Sequence, residues 1–165
     1  MPKAELHIHL EGSIHPHTLL ELATKNGTAL NASDLAGVER LFRYDSFLGF
    51  LDVYRACARC LIQGEDFERV AYEMAVDLAE QNVRYAEVML SPAQHMQRNM
   101  DFDEILGGVA AGFARAQAER GIVCKPAFDF GRQFSLHEAL RAVELAQDGM
   151  RYGVVAFSIG GDEAN

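Results

Sequence analysis

Basic side chains are in short supply: 15 Lys and Arg stand against 24 Asp and Glu, a formal charge of −9 over 165 residues. A sequence-independent grip on nucleic acid needs clustered cations, so that partner is disfavoured. Long apolar runs are missing too. No stretch approaches the roughly 20 apolar residues of a membrane-spanning helix. The opening MPKAELHIHLEG also places Glu5, His7, His9 and Glu11 where a secretory leader would be greasy. Neither a membrane partner nor export is expected. Cysteine is scarce, with only Cys57, Cys60 and Cys124, and an odd, small number fits free thiols in a reducing cytoplasm better than a disulfide framework. Low-complexity tracts, charge blocks and repeats beyond a strand–helix alternation are lacking as well. What is present is a chain with 49% hydrophobic and 24% charged residues, enough for one packed core.

Residues 4–10 read as a first strand. Pro16 then precedes a helical pattern over residues 18–25 (Leu19, Leu20, Leu22, Ala23) that Gly27 closes. Further helices are predicted over residues 33–42, 46–62 and 66–81, and a second strand over 83–90, stopped by Ser91-Pro92. Asp101 with Glu104 opens a helix that runs to residue 120 and ends at Gly121, before a third strand over 122–130. Ser135 with Glu138 is a capping box for a helix ending near Gly149, and residues 153–159 form a last, almost wholly apolar strand. Strands separated by helices cannot pair as hairpins, so they build a parallel sheet through right-handed crossovers. That leaves a doubly wound sheet or a (β/α) barrel. A whole barrel takes about 250 residues and eight units, so four strands make either an open sheet or the first half of a barrel.

The first strand carries the chemistry. Side chains alternate across a strand, which groups Leu6, Ile8 and Leu10 on one face and Glu5, His7, His9 and Glu11 on the other. A buried parallel strand should read as near-continuous Val, Ile and Leu. Two histidines and two carboxylates on an interior face are costly unless a metal or partners satisfy them. Alternate residues stand about 6.6–7 Å apart, a separation from which both imidazoles can converge on one zinc ion. The pair also sits at the carboxyl end of its strand, where parallel folds place ligands. It is therefore expected to face a shared, water-poor pocket; the plain alternative is a solvated edge strand. Elsewhere, Phe47, Phe50, Leu51 and Tyr54 form a helical stripe that is either core or cover. Cys57 and Cys60 lie mid-helix without a second pair and are expected to pack. Gly160-Gly161 reads as a strand-ending turn, without the spacing or Lys of a phosphate loop. His15, His17 and His137 are expected to be solvated, whereas His95 and Arg132 fall in loops at the ligand-binding end.

PKAELHIHLEGS, residues 2–13, resembles the opening strand of the adenosine deaminase family, zinc-dependent (β/α)8 barrels of the amidohydrolase superfamily. VRYAEVMLSP, residues 83–92, is similar to that family's second strand, and SIGGDEAN, residues 158–165, to the end of its fourth. The resemblance implies an α/β chain that is the first half of a (β/α)8 TIM-type barrel, one partial domain over residues 1–165. It implies that His7 and His9 are zinc ligands, with His9 also beside the substrate. Glu11 would stand where many members have a sugar-binding Asp, and Gly161 would offer its backbone N–H to a purine ring nitrogen, supported by Asp162 and Glu163. The stripe from Phe47 to Tyr54 would cover the purine.

The reaction so implied is hydrolytic deamination of adenosine to inosine and ammonia, with Zn2+ as cofactor and a small purine nucleoside or base as partner. Adenine or a modified adenosine is the alternative substrate, and a non-catalytic α/β binding module the alternative class. In the family the general acid/base Glu, a third zinc His, an orienting His and an Asp ligand come from later strands, beyond Asn165. Half a ligand set implies an inactive fragment. It is expected to fold poorly alone and to self-associate, because an open half-barrel exposes two sheet edges and an apolar lumen. Zinc deaminases of the cytidine type are disfavoured, since no P-C-x-x-C accompanies the histidines.

Overall fold

A computed structural model describes residues 1–131 and 135–160. Four strands, β1 (Lys3–His9), β2 (Val83–Leu90), β3 (Val123–Gly131) and β4 (Ala156–Gly160), pair in the order β1-β2-β3-β4. Every pairing is parallel. Among the described residues seven α-helices accompany them: α1 (Pro16–Asn26), α2 (Leu35–Leu41), α3 (Phe47–Cys60), α4 (Gly64–Glu80), α5 (Pro92–Met96), α6 (Phe102–Arg120) and α7 (Leu136–Gly149). Among the described residues no helix is long and apolar enough to cross a membrane.

Local signals account for most boundaries. Pro16 occupies the first turn of α1, and Gly27 ends it in the left-handed conformation, its N–H reaching the Ala23 and Thr24 carbonyls. Asp34 and Ser46 cap α2 and α3 through Gly37 N and Gly49 N. Asp101 caps α6 by accepting from the N–H groups of Asp103 and Glu104. Glu104 does not complete a capping box there; its carboxylate accepts from Gly64 N at 3.0 Å and so ties α6 to the start of α4. Ser135 and Glu138 do form the expected reciprocal box. The stretch after Ser91 holds a five-residue helix, α5, where the sequence suggests a loop. Pro92 stops the strand and also starts that helix.

The core lies on one face of the sheet. Ala86, Val88 and Leu90 of β2 and Cys124 and Phe128 of β3 are buried with Leu19 and Leu22 of α1, Phe67 and Val70 of α4 and Ile105 and Val109 of α6. By alternation, the opposite face of β2 and β3 carries Glu87, Lys125 and Asp129. Helices packed on one face with polar groups on the other are the layering of a barrel wall, not of a doubly wound sheet. The inner face is consequently mixed, with Glu87, Lys125 and Asp129 beside the buried Met89 and Ala127, against the expectation of a wholly apolar lumen.

Strand β1 departs from simple alternation. Glu5 pairs with Ala86 while Ile8 pairs with Val88, so Leu6 and His7 together oppose Glu87 alone. This bulge, on a strand at the sheet edge, leaves Leu6 57% exposed. Ile8 still packs against the core. Glu11 is not on the strand at all: it begins a short 3-10 turn, Glu11–Ser13, that turns the chain inward after β1.

Candidate functional site

The two histidines of β1 converge. Their ring centroids lie 5.2 Å apart at 69° to one another, and the His9 ring meets the Tyr54 ring of α3 edge-on at 6.0 Å. His7 is exposed, and the His9 side chain keeps 34% of its surface in solvent, so this open half-sheet holds the pair in a rim rather than in the dry pocket the sequence suggests.

Across the sheet, Asp129 of β3 brings its Oδ2 to 3.8 Å from His9 Nδ1. That is too long for a hydrogen bond. His9 Nδ1 and Asp129 Oδ1 are both buried and have no partner among the described residues. Burial pushes the Asp129 carboxyl above the usual carboxylate range, and the nearby His9 opposes that shift without cancelling it. Sequence reasoning missed Asp129. The available signal was a single carboxylate near the carboxyl end of the third strand, CKPAFDF, the end at which parallel folds place ligands.

Glu11 takes a different place from the one expected of it. It is wholly buried, and both oxygens are engaged: Oε1 accepts from Ser91 N at 3.2 Å and meets His95 Nε2 at 3.1 Å, while Tyr54 Oη donates to Oε2 at 3.2 Å. A guanidinium can only donate, so the 2.6 Å contact between Arg98 Nη2 and His95 Nδ1 makes Nδ1 the acceptor and leaves Nε2–H to donate to Glu11. Burial by itself would raise the Glu11 carboxyl, yet the hydrogen bonds from His95 and Ser91 N hold it below its ordinary value. The Tyr54 hydroxyl is driven upward by burial and by the Glu11 charge, and stays protonated as a donor. Glu11, Tyr54, His95 and Arg98 thus form one braced network behind β1. Among these, His95 lies in α5 and reaches the neighbourhood of the site through Glu11.

Other residues fall as follows. Phe47 is exposed, with Phe50, Leu51 and Tyr54 half-buried, so the α3 stripe is a cover over the rim and not core. Phe47 stacks on Phe50, and Phe50 leans on Tyr54. Cys57 and Cys60 are buried free thiols, as packing predicts; burial pushes them up to about 12 and about 11. His15 is not simply solvated, for it pairs with Asp77 at 2.6 Å. His17 and His137 are exposed. Gly161, Asp162, Glu163 and Arg132 lie outside the described residues. Two imidazoles converging at a strand end, with a buried unpartnered nitrogen on His9, fit part of a zinc ligand set. Among the described residues, no group of three or more His, Cys, Asp or Glu is arranged to hold a metal ion.

Comparison with known proteins places this geometry. The adenosine deaminase family profile matches residues 2–165. The chain is 34% identical over 146 residues to the adenine deaminase of Psychrobacter cryohalolentis, covering 88% of this chain and 44% of that protein. It is also 34% identical over 172 residues to the aminodeoxyfutalosine deaminase of Acidothermus cellulolyticus, covering 99% of this chain and 46% of that protein. A zinc-bound amidohydrolase from Burkholderia ambifaria superposes with a TM-score of 0.89 at 27% identity, over the whole of this chain and 45% of that one. The chain therefore spans less than half the length of these relatives, and its open sheet corresponds to the N-terminal half of a TIM barrel.

Proposed function

Because the chain belongs to the adenosine deaminase family, we propose that it supplies the N-terminal half of a zinc-dependent hydrolase that removes the exocyclic amino group of a 6-aminopurine. The convergence of His7 and His9 at the carboxyl end of β1 is the observation that carries this reading. These two imidazoles would hold the zinc ion. A zinc ion at such a site acidifies water toward a pKa of about 7, for attack on the carbon that bears the amine.

The chain's own residues do the rest of what this half can do. His9, wedged between His7 and the Tyr54 ring, is held in one orientation by edge-on ring contacts. Glu11 fixes the turn that ends β1, through Tyr54, Ser91 and His95, and so sets where the two rings point. The aromatic stripe of α3 offers an apolar wall that suits a purine face and would exclude water from it. The acid/base group that carries the proton to the departing ammonia would come from outside residues 1–165.

On the substrate, the free base is the reading with more support. Both Glu11 oxygens are spent on protein donors, so Glu11 has little left for a ribose hydroxyl. That, with a 34%-identical relative named for adenine, supports adenine over adenosine, while the relative named for aminodeoxyfutalosine keeps a modified adenosine as the second reading. Ammonia release from adenine, adenosine and an N6-modified adenosine, measured on the protein that carries this chain, separates the three. Turnover on adenine first is the expected result. Exclusive turnover on adenosine would reverse the substrate assignment, and zinc-free protein with no turnover on any of them would favour a binding module.

A further inference from the structure

A second polar feature lies on the other side of the Glu11 network. A cavity of about 260 Å³ is lined by Thr28, Arg59, Leu61, Ile62, Arg98 and Met100. Arg59 and Arg98 both line it, and after burial Arg59 is the largest influence that weakens the hold of Arg98 on its proton. In a chain with 24 carboxylates and 15 cationic side chains, two neighbouring arginines would ordinarily be neutralised. Neither one forms an ion pair with a carboxylate among the described residues, the Glu11 charge acting on Arg98 only at a distance, from beyond His95. Arg98 spends a single nitrogen, Nη2, on the Ala58 carbonyl and on His95 Nδ1. Its Nη1 and Nε donate to nothing described, and Arg59 makes no hydrogen bond or ion pair there.

Like charges held together in a half-buried cavity repel, and the repulsion is relieved by an anion that both can share. The planar fork of each guanidinium matches a tetrahedral or carboxylate oxyanion through paired N–H···O bonds. We propose that this cavity binds a small oxyanion of the phosphate class, gripped by Arg59 and Arg98. The remaining lining, Leu61, Ile62 and Met100 with Thr28, is mostly apolar and would shield the contact from water. The site goes beyond the deaminase reading and does not need it, since binding is read without turnover.

The test is isothermal titration of the protein that carries this chain with inorganic phosphate at fixed ionic strength, sodium chloride making up the balance. Saturable binding of one phosphate is expected, weakened about tenfold or more in Arg59→Ala and retained in part by Arg59→Lys. Arg59 is exposed and braces nothing, so the alanine variant tests binding and not folding. Arg59→Glu, which places a carboxylate beside Arg98, is expected to abolish the phosphate signal. No phosphate binding, or binding unchanged in Arg59→Ala, overturns the proposal. The source of the anion follows from a second arm with adenosine 5′-monophosphate and adenosine. If the phosphate belongs to the substrate, Arg59→Ala weakens the monophosphate and spares the nucleoside; if it is a free ion, the monophosphate gains nothing over inorganic phosphate.

Discussion

Asp66 shows how a single carboxylate can join two helices. It is buried at the start of α4, and its oxygens accept from Lys25 Nζ and Asn26 Nδ2 of α1 at 2.8 Å each, and from the Ile62 and Gln63 N–H groups at 3.0 Å. Burial would raise its pKa, but Lys25, Asn26 and the two backbone donors together hold it below the ordinary 3.8. A lowered folded-state value stabilises the fold above the unfolded-state value and ceases to do so as the pH falls through the folded one. Asp66→Asn should therefore cost about 2–4 kcal/mol in urea unfolding at pH 7. The gap between variant and wild type should shrink below pH 3.8. Glu11 gives a second contrast: Glu11→Ala strands the buried His95 and should cost about 3–5 kcal/mol, whereas Tyr54→Phe loses one hydrogen bond and about 1 kcal/mol. Chemical denaturation of both variants checks the ratio. At this scale the sequence reveals His7 and His9, because two imidazoles interrupt an apolar strand. It hides Asp129 and the Glu11–His95 contact, which join residues 84 apart through packing that no local pattern encodes.

Elements were the most legible level. Strand β2 coincides with its predicted span, and α3, α6 and α7 start at their Ser46, Asp101 and Ser135 caps, whereas α4 starts at Gly64, two residues before the expected Asp66, and α2 at Leu35, two residues after the expected start at Ser33. Two further departures have physical causes. Helix α5 is too short to show a period, and the β1 bulge depends on pairing with β2, which a lone strand cannot announce. Packing between α4 and α6 makes a sharper test. A Cβ at Gly108 would collide with the Gly64 carbonyl, and one at Gly112 with the Glu68 carbonyl and the Ala71 Cβ, so the helices touch backbone to backbone. Gly107, one residue away, would meet nothing within 4 Å. Gly108→Ala and Gly112→Ala should each destabilise by about 1–3 kcal/mol or more, while Gly107→Ala should stabilise by about 0.5–1 kcal/mol through helix propensity. Thermal unfolding of the three variants, side by side, decides whether the helix contact is as close as described.

For the whole molecule, the sheet has a free edge at β1 and another at β4 among the described residues. The outer face near β4 is also bare: Leu136 is 77% exposed, with Leu140 and Ile159 more than half exposed. Contiguous apolar surface next to an open strand edge favours association. The 165-residue chain by itself should sediment as a concentration-dependent oligomer, and Leu136→Lys with Leu140→Lys should shift it toward monomer without loss of helical circular dichroism. The parallel order and the one-sided core identify half of a barrel. They do not by themselves supply a metal centre: among the described residues no group of three or more His, Cys, Asp or Glu is arranged to hold an ion. The decisive measurement is the zinc content of the protein that carries this chain, purified as wild type, as His7→Ala, as His9→Ala and, for control, with the exposed His137→Ala. One zinc per chain in wild type and control, and none retained in either β1 variant, is the expected result; full zinc in the His7→Ala and His9→Ala proteins would contradict it.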